Sequence, residues 1–314
     1  MNWTPDERFV QSDSQVFVFG AARSGKTTVA KLASSFAGVN HVDEYWPLLA
    51  ISIAANGKEI STDAFSSIAR CMMAELQNES ALLRFGNFRP RDASSIFKYK
   101  SKREILERLI KLKSRSESAQ YVKEKNYKLW LTCTDLNICE DLFQNTFQTS
   151  PRVLILRHPT KVSYEISKKK WFANQTLLRP TSNTPTVKFY SKALKLNLFL
   201  PWWLPQNEHD SWVNSDEITR GLIYWKIMHN NYLIDSQKLS RFAMVITWDE
   251  LFQQSNQIIQ KLENLLQKKM TNKSNKLIRS LKDDNNIRVA LSPTAETILR
   301  DLQPLITKFN LSVN

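Results

Sequence analysis

The chain has 314 residues, of which 42% are hydrophobic and 24% are charged, a composition that is ordinary for a globular protein with a sizeable core. No apolar run approaches the roughly 20 residues that a membrane span needs. The N-terminus has no signal-peptide pattern, and the three cysteines form no CxxC pair. The sequence therefore excludes a transmembrane helix and a disulfide framework, and it predicts a cytoplasmic protein.

The formal net charge of +14 is explained either by an anionic partner or, for most of the lysines, by a solvated basic surface. The sequence has no zinc-finger spacing, no RNP pattern and no basic arm, so we expect no nucleic-acid partner. Basic residues are instead spread along the chain, with local concentrations in 98–113, 168–170 and 268–282. A positive field of this kind draws in a multiply charged nucleotide.

The first predicted strand, Val16–Phe19, leads directly into a phosphate-binding loop. Residues 20–27 match the pattern G-x-x-x-x-G-K-[ST], and a helix is predicted to follow over Thr27–Ala37. The two glycines let backbone N–H groups turn toward an anion, while Lys26 and the helix N-terminus add positive charge. The segment therefore predicts a phosphate or sulfate site.

The rest of the chain alternates predicted strands with predicted helices. Further short apolar runs predict strands at Leu129–Thr132, Val153–Leu156 and Ala243–Thr247. Helices are predicted at Ser101–Ser114, where Ile105, Leu106, Leu109 and Ile110 have helical spacing, at Asp249–Met270, and from Ser292-Pro293 onward. This alternation predicts an α/β fold with a doubly wound, mostly parallel sheet flanked by helices. Ligands bind such sheets at the carboxyl ends of the strands, so the loops after the first and third predicted strands are expected to face one crevice.

Residues 174–216 differ from the rest because they are rich in proline and contain the aromatic cluster Phe199–Pro205. We expect this segment to be an insertion or lid within a single domain that spans residues 1–314. Two readings of the cluster stay open. It forms an acceptor-binding or interfacial surface, or it packs a long loop onto the core.

A second anion site is predicted where the strand Val153–Leu156 ends. Arg157 stands at its carboxyl end, and Pro159 then begins a helix that carries Ser163 and Ser167. A guanidinium group can bind two phosphate oxygens at once, and hydroxyl groups near a helix N-terminus can complete the site. Two anion sites on neighbouring strands imply a ligand with two separate phosphate-like ends.

Four segments, taken in chain order, resemble motifs of the sulfotransferase family, which binds 3′-phosphoadenosine 5′-phosphosulfate (PAPS). Residues 23–27 resemble its 5′-phosphosulfate loop, and residues 154–159 resemble its 3′-phosphate motif. Residues 244–251 are similar to its late strand–helix element, and residues 291–305 to its closing helix. The resemblance runs from about residue 15 to the C-terminus. It implies the P-loop NTPase-like sulfotransferase fold.

The resemblance also implies a reaction, in which a sulfuryl group moves from PAPS to a hydroxyl or amine acceptor by in-line displacement and adenosine 3′,5′-bisphosphate is released. The acceptor would be a small molecule, a carbohydrate or a lipid, peripheral membrane contact stays open, and no metal is implied. Glu44 is the first candidate for the base, with His41 and Asp43 behind it. The implied donor-binding residues are Arg23, which also contacts the sulfuryl group, Ser24, Gly25, Lys26, Thr27, Thr28, Arg157, Ser163 and Ser167.

Two positions depart from the family pattern. Lys26 stands where the family has a small hydroxyl residue, and Glu165 stands where the serine for the 3′-phosphate usually lies. Because Lys26 completes an NTP-type loop, an ATP-dependent small-molecule kinase or another P-loop NTPase is an alternative, with Asp135 as a carboxylate for Mg²⁺. A P-loop-fold binding protein without catalytic activity is a third reading.

Overall fold

The structure is a computed structural model, and it describes residues 14–91, 95–180, 184–191, 194–280 and 289–312. The described strands are β1 (Gln15–Phe19), β2 (Val39–Asp43), β3 (Lys128–Thr132), β4 (Arg152–Leu156), β5 (Thr186–Ser191), β6 (Leu196–Pro201) and β7 (Met244–Thr247). The described helices are α1 (Lys26–Ser34), α2 (Trp46–Asn56), α3 (Thr62–Ala81), α4 (Ile96–Tyr99), α5 (Lys102–Lys111), α6 (Arg115–Glu124), α7 (Glu140–Thr146), α8 (Pro159–Lys168), α9 (Asn174–Leu177), α10 (His209–Val213), α11 (Glu217–Ile234), α12 (Trp248–Gln253), α13 (Ser255–Leu266), α14 (Asn272–Ser280), α15 (Pro293–Asp301) and α16 (Gln303–Lys308).

Five strands form a parallel sheet in the order β2-β3-β1-β4-β7. In this sheet β1 is central, with β3 on one side and β4 on the other, and Phe19 is in register with Leu154. The carboxyl ends of β1 and β4 therefore lie side by side. The four predicted strands and the predicted α/β fold class with a parallel sheet are confirmed.

Helices cover both faces of the sheet because the side chains of β1 alternate between two apolar clusters. Val16 and Val18 belong to a cluster with residues of α1 and α13, whereas Phe17 and Phe19 belong to a second cluster with residues of α7, α8 and α11. The doubly wound arrangement thus follows from strands that are apolar on both sides. No described helix is long and apolar enough to cross a membrane.

Strand β2 was not predicted from the sequence because its polar residues hide it. It carries Asn40 and His41, both less than a tenth exposed, at positions where a buried strand normally has apolar side chains. Hydrogen bonds compensate for this burial. Asn40 contacts Ser80 and Arg108, and His41 contacts Ser34.

The helix boundaries differ from the predictions in three places. The helix predicted over Ser101–Ser114 is α5, which covers Lys102–Lys111. The helix predicted over Thr27–Ala37 is α1, which starts one residue earlier and ends at Ser34. The helix predicted over Asp249–Met270 is divided into α12 and α13 at Gln254, where the backbone leaves the helical region with φ −130° and ψ 36°. The predicted start at Ser292-Pro293 is confirmed, since the Ser292 hydroxyl accepts a hydrogen bond from the Ala295 N–H at 3.2 Å.

Helix α5 turns a different side to the core from the one that its apolar spacing indicates. Ile105 is buried, but Leu106, Leu109 and Ile110 are 59, 52 and 58% exposed. Arg108 takes the inner position, and its guanidinium donates hydrogen bonds to the carbonyls that end α3. The C-terminal end of a helix carries partial negative charge, so a buried cation there is favourable.

The described part of the segment 174–216 includes the antiparallel hairpin of β5 and β6 and the short helix α10. Its aromatic cluster packs inward. Trp203 is 4% exposed, and its ring contacts Phe172, Trp212 and Tyr224 at centroid distances of 5.0–6.0 Å. The reading in which the cluster packs a long loop onto the core is the one that agrees with the structure.

Candidate active site

The loop between β1 and α1, residues 20–28, is called the phosphate loop below. Both of its glycines are required by the backbone and by close neighbours. Gly20 has φ +139°, and a Cβ there would lie 2.4 Å from the Ile155 carbonyl oxygen. Gly25 has φ +102°, and a Cβ there would lie 2.3 Å from the Trp248 ring. The loop is thus fixed in its turn by β4 on one side and by Trp248 on the other.

The end of α1 that faces the loop offers unsatisfied donors. Gly25 is its N-cap residue, and no side chain caps the helix there. The Ser24 hydroxyl is buried and has no hydrogen-bond partner among the described residues. Uncapped N–H groups, a buried hydroxyl and the positive end of the helix dipole form a site for an anion. Thr27 is exposed and Thr28 half-buried on the first turn of the same helix.

Lys26 lies inside the loop. Its Nζ donates hydrogen bonds to the carbonyl oxygens of Gly20 at 2.6 Å and Ala21 at 2.7 Å. Burial lowers the pKa of Lys26 to about 8, and the carboxylates of Asp135 and Glu44 raise it in part. Because these hydrogen bonds already fix the lysine side chain, binding an anion requires no further ordering of it.

Two side chains outside the phosphate loop hold it in place by hydrogen bonds to its backbone. The sequence did not reveal either of them as a site residue. Asn137 Oδ1 accepts a hydrogen bond from the Gly20 N–H at 2.9 Å, and the Tyr224 hydroxyl accepts one from the Ala22 N–H at 2.7 Å. The same Tyr224 hydroxyl donates to Asp135 Oδ1 at 2.6 Å. Because Tyr224 is 1% exposed, it links helix α11 to the phosphate loop without contact with solvent.

Asp135 is held in this arrangement as a buried hydrogen-bond acceptor. Besides Tyr224, the Thr184 hydroxyl donates to Asp135 Oδ2 at 3.1 Å, and the residue is 5% exposed. Burial raises the pKa of Asp135, while the hydrogen bond from Tyr224 and the charge of Lys26 act in the opposite direction. Both carboxylate oxygens are therefore engaged inside the protein.

We expect Tyr224→Phe to lower the free energy of unfolding by about 2 kcal/mol, because the Ala22 N–H and the Asp135 carboxylate both lose a buried partner. Urea unfolding measures this effect. Tyr190→Phe is the matched control, since Tyr190 is 55% exposed and its replacement leaves no buried group unpaired. Equal stability of the Tyr224→Phe variant and the unmodified protein would contradict this role of the hydroxyl.

Arg157 brings the second predicted anion site next to the first. It follows β4, is 5% exposed, and its Nη1 donates to the Arg23 carbonyl oxygen at 3.2 Å. Its guanidinium carbon lies 4.7 Å from the centroid of the Trp248 ring, the same ring that covers Gly25. The loops after β1 and β4 therefore lie next to each other, with Trp248 between them.

The two serines predicted to complete this second site bond their own helix instead. Ser163 is fully buried, and its hydroxyl donates to the Pro159 carbonyl oxygen at 2.8 Å. It faces α11, where a Cβ on Gly221 would lie 2.7 Å from it. The Ser167 hydroxyl donates to the Tyr164 carbonyl oxygen at 2.8 Å.

Glu165 forms a salt bridge that joins α8 to the phosphate loop. Its Oε2 lies 3.0 Å from Nη2 of Arg23, and its Oε1 lies 3.3 Å from Nζ of Lys168. Arg23 has a φ of +64°, and its side chain is 37% exposed. Burial acts to raise the pKa of Glu165, but the hydrogen bonds from Arg23 and Lys168 hold it below its usual value.

The three candidates for the base are not equivalent in position. Glu44 is exposed just after β2, and its Oε1 accepts a hydrogen bond from the Thr134 hydroxyl at 3.0 Å. Asp43 accepts a hydrogen bond from the Thr132 hydroxyl at 2.6 Å. His41 is buried, its Nε2 lies 3.7 Å from Asp43 Oδ2, and its ring is tilted against Tyr99 at a centroid distance of 4.7 Å. Burial lowers the pKa of His41, and the Asp43 carboxylate acts in the opposite direction.

Three solved structures are similar to the chain over nearly its whole length. They are sulfotransferase STF9 from Mycobacterium avium (10% identity, 97% of this chain and 79% of that chain, TM-score 0.49), the sulfotransferase domain from the Synechococcus PCC 7002 olefin synthase (11%, 96% and 98%, 0.47) and sulfotransferase STF1 from Mycobacterium tuberculosis H37Rv (11%, 93% and 77%, 0.39). No family model and no curated protein matches the chain. Similarity at this level does not identify a donor or an acceptor, so the function is argued from the geometry of the site.

Proposed function

We propose that the protein is a sulfotransferase that moves a sulfuryl group from PAPS to a hydroxyl or amine acceptor by in-line displacement. One observation carries the proposal. The phosphate loop and Arg157 lie at the ends of adjacent parallel strands, and Nη1 of Arg157 is 3.2 Å from the Arg23 carbonyl oxygen. A donor with a phosphosulfate at one end and a phosphate at the other matches two cationic sites in one crevice.

The residues of the crevice fit such a donor. The uncapped start of α1, the buried Ser24 hydroxyl and Lys26 would hold the 5′-phosphate. Arg157 would bind the 3′-phosphate. Ser163 and Ser167 would join it only after turning away from the carbonyl oxygens that they now bond.

Sulfuryl transfer needs a cation beside the sulfuryl group and a base beside the acceptor. PAPS supplies a sulfuryl group on a good leaving group. Arg23, released from Glu165, would stabilise negative charge on the sulfuryl oxygens. Glu44 would accept the proton that the acceptor loses as its oxygen or nitrogen bonds to sulfur and the bond from sulfur to the phosphate oxygen breaks.

The acceptor would bind next to Glu44. A small pocket there is lined by Tyr45, Trp46, Leu48 and Leu49 on one side and by residues 131–136 on the other. Apolar walls beside a carboxylate suit an acceptor whose hydroxyl or amine is attached to an apolar group. A small molecule, a carbohydrate with an apolar substituent and a lipid all meet this condition.

The three cysteines are free thiols, in line with a reducing, cytoplasmic setting.

The decisive experiment compares two ligands by thermal unfolding. Adenosine 3′,5′-bisphosphate, the expected product, should raise the melting temperature by several degrees at about a hundred times its dissociation constant. ATP with Mg²⁺ at the same concentration should raise it less, because ATP has no 3′-phosphate for Arg157. A larger shift with ATP, or none with the bisphosphate, contradicts the proposal.

An ATP-dependent kinase or another P-loop NTPase is the second candidate, and Lys26 is the observation that favours it. The lysine lies inside an intact G-x-x-x-x-G-K-T loop, where it would contact the β- and γ-phosphates of a nucleoside triphosphate. The predicted carboxylate for Mg²⁺, Asp135, counts against this candidate, since Tyr224 and Thr184 already occupy its two oxygens.

A further inference from the structure

The outward side of helix α5 is apolar without a partner among the described residues. Leu106, Leu109 and Ile110, called the apolar stripe below, are more than half exposed. Residues three and four apart lie next to each other on one side of a helix, so the three side chains form one continuous patch. Single exposed apolar side chains are normal in proteins, but three adjacent ones on one helix call for an explanation.

The orientation of α5 is fixed, so the stripe cannot turn inward. Arg108 is 2% exposed and donates hydrogen bonds to the carbonyl oxygens of Ser80 and Ala81 and to Asn40 Oδ1. Its guanidinium also lies 5.4 Å from the centroid of the Tyr127 ring. Rotating the helix to bury the stripe would expose these partners and break every one of the bonds. The outward position of the stripe is thus a stable property of the fold.

The surroundings of the stripe are cationic. Lys102 and Arg103 are exposed one turn before Leu106 on the same side of the helix, and Lys111 and Lys113 are exposed where the helix ends. The one exposed acid of α5, Glu107, is paired with Lys111 at 2.9 Å. This arrangement adds to a chain whose formal net charge is already +14.

We propose that α5 binds the surface of an anionic lipid bilayer, with the apolar stripe entering the headgroup boundary and the flanking cations contacting lipid phosphates and carboxylates. A helix lying in a membrane interface has such an apolar side bordered by lysine and arginine. Charge complementarity favours this occupant over a second copy of the chain, because two copies meeting through α5 would bring the same cations together. The proposal stands whether or not the crevice transfers sulfuryl groups.

Co-sedimentation with vesicles tests the proposal on the full chain. The protein should sediment with vesicles of phosphatidylcholine and phosphatidylserine, and much less with phosphatidylcholine alone. Binding should weaken at high salt. Leu106→Gln/Leu109→Gln/Ile110→Gln should weaken binding about tenfold. Lys102→Gln/Arg103→Gln should weaken it about fivefold for each cation removed.

Matched control variants distinguish binding through α5 from nonspecific effects of exposed apolar side chains and of positive charge. Leu178→Gln/Ile234→Gln replaces side chains that are 62 and 77% exposed elsewhere, and Lys58→Gln/Lys188→Gln removes two exposed cations outside α5. Neither should change vesicle binding by much. Melting temperatures of all variants should equal that of the unmodified protein, because every replaced side chain is exposed.

Three results would each overturn the proposal. The first is equal sedimentation with neutral and anionic vesicles, or none with either. The second is an unchanged affinity of the triple variant in α5. The third is a concentration-dependent dimer in sedimentation velocity that this variant abolishes while vesicle binding is absent, which would make the stripe an interface between two copies.

Discussion

Arg157→Ala is expected to weaken the binding of adenosine 3′,5′-bisphosphate about a hundredfold. A guanidinium that is 5% exposed at the end of β4 can form charge-assisted hydrogen bonds to a phosphate, each stabilised by about 1.5–3 kcal/mol. Isothermal titration calorimetry measures the affinity directly. The affinity of Arg157→Lys should lie between those of the unmodified protein and Arg157→Ala. An ammonium group keeps the charge but cannot bind two phosphate oxygens in a fixed geometry.

Controls for this prediction address charge and folding. Arg84→Ala removes an arginine whose side chain is 59% exposed and pairs with Glu79, so it lowers the net charge without touching the crevice. Its affinity for the bisphosphate should stay near that of the unmodified protein. Arg157→Lys keeps the test informative if the alanine variant is unstable. If both Arg157 variants bind the bisphosphate normally, Arg157 does not contact a phosphate of the ligand. That result would favour a nucleoside triphosphate as the natural ligand.

The adjacency of the phosphate loop and Arg157 could be predicted from the sequence because each of the two is a local pattern. Residues 20–27 carry their own glycines and lysine next to an apolar strand, and Arg157 follows the strand that ends at Leu156. Parallel strands align their carboxyl ends, so two local patterns were enough to predict that the two segments lie side by side. The structure then adds a distance, 3.2 Å between Nη1 of Arg157 and the Arg23 carbonyl oxygen.

The anchors of the loop could not be predicted because they come from distant parts of the chain. Asn137 is 117 residues from Gly20, and Tyr224 is 202 residues from Ala22. In the sequence, Tyr224 is one apolar-spaced residue of a long helix, and nothing local distinguishes its hydroxyl from that of a core tyrosine. Only the packing of α11 against α8, through Gly221, brings it under the loop.

The packing of α11 against α8 also explains why Ser163 lies at a helix contact and not beside Arg157 as an anion ligand. Its place in the first turns of α8 suggested a phosphate ligand, but a helix has several sides and spacing from Arg157 does not say which one faces the crevice. Gly221 on α11 leaves room on the side where Ser163 lies, so this side became the contact between the two helices. The salt bridge between Arg23 and Glu165 is a similar case, since it joins residues 142 positions apart.

Glu44→Gln is expected to slow sulfuryl transfer by about 10²- to 10⁴-fold, the usual contribution of a general base. The substitution keeps a group that can bond Thr134 but removes the ability to accept the acceptor's proton. Release of adenosine 3′,5′-bisphosphate from PAPS, followed with a panel of alcohols, phenols and amines, measures the rate. The unmodified protein should release it only in the presence of an acceptor.

Donor affinity distinguishes a lost base from a damaged site. Glu44 lies close enough to Lys26 to raise the pKa of the lysine, so its charge also repels an anionic donor. Glu44→Gln should therefore bind adenosine 3′,5′-bisphosphate as tightly as the unmodified protein or somewhat more tightly, while transfer is slow. Asp43→Asn removes a neighbouring carboxylate and should keep transfer within a few-fold. A Glu44→Gln variant with full transfer would place the base elsewhere, and bisphosphate binding without transfer to any acceptor would identify a binding protein.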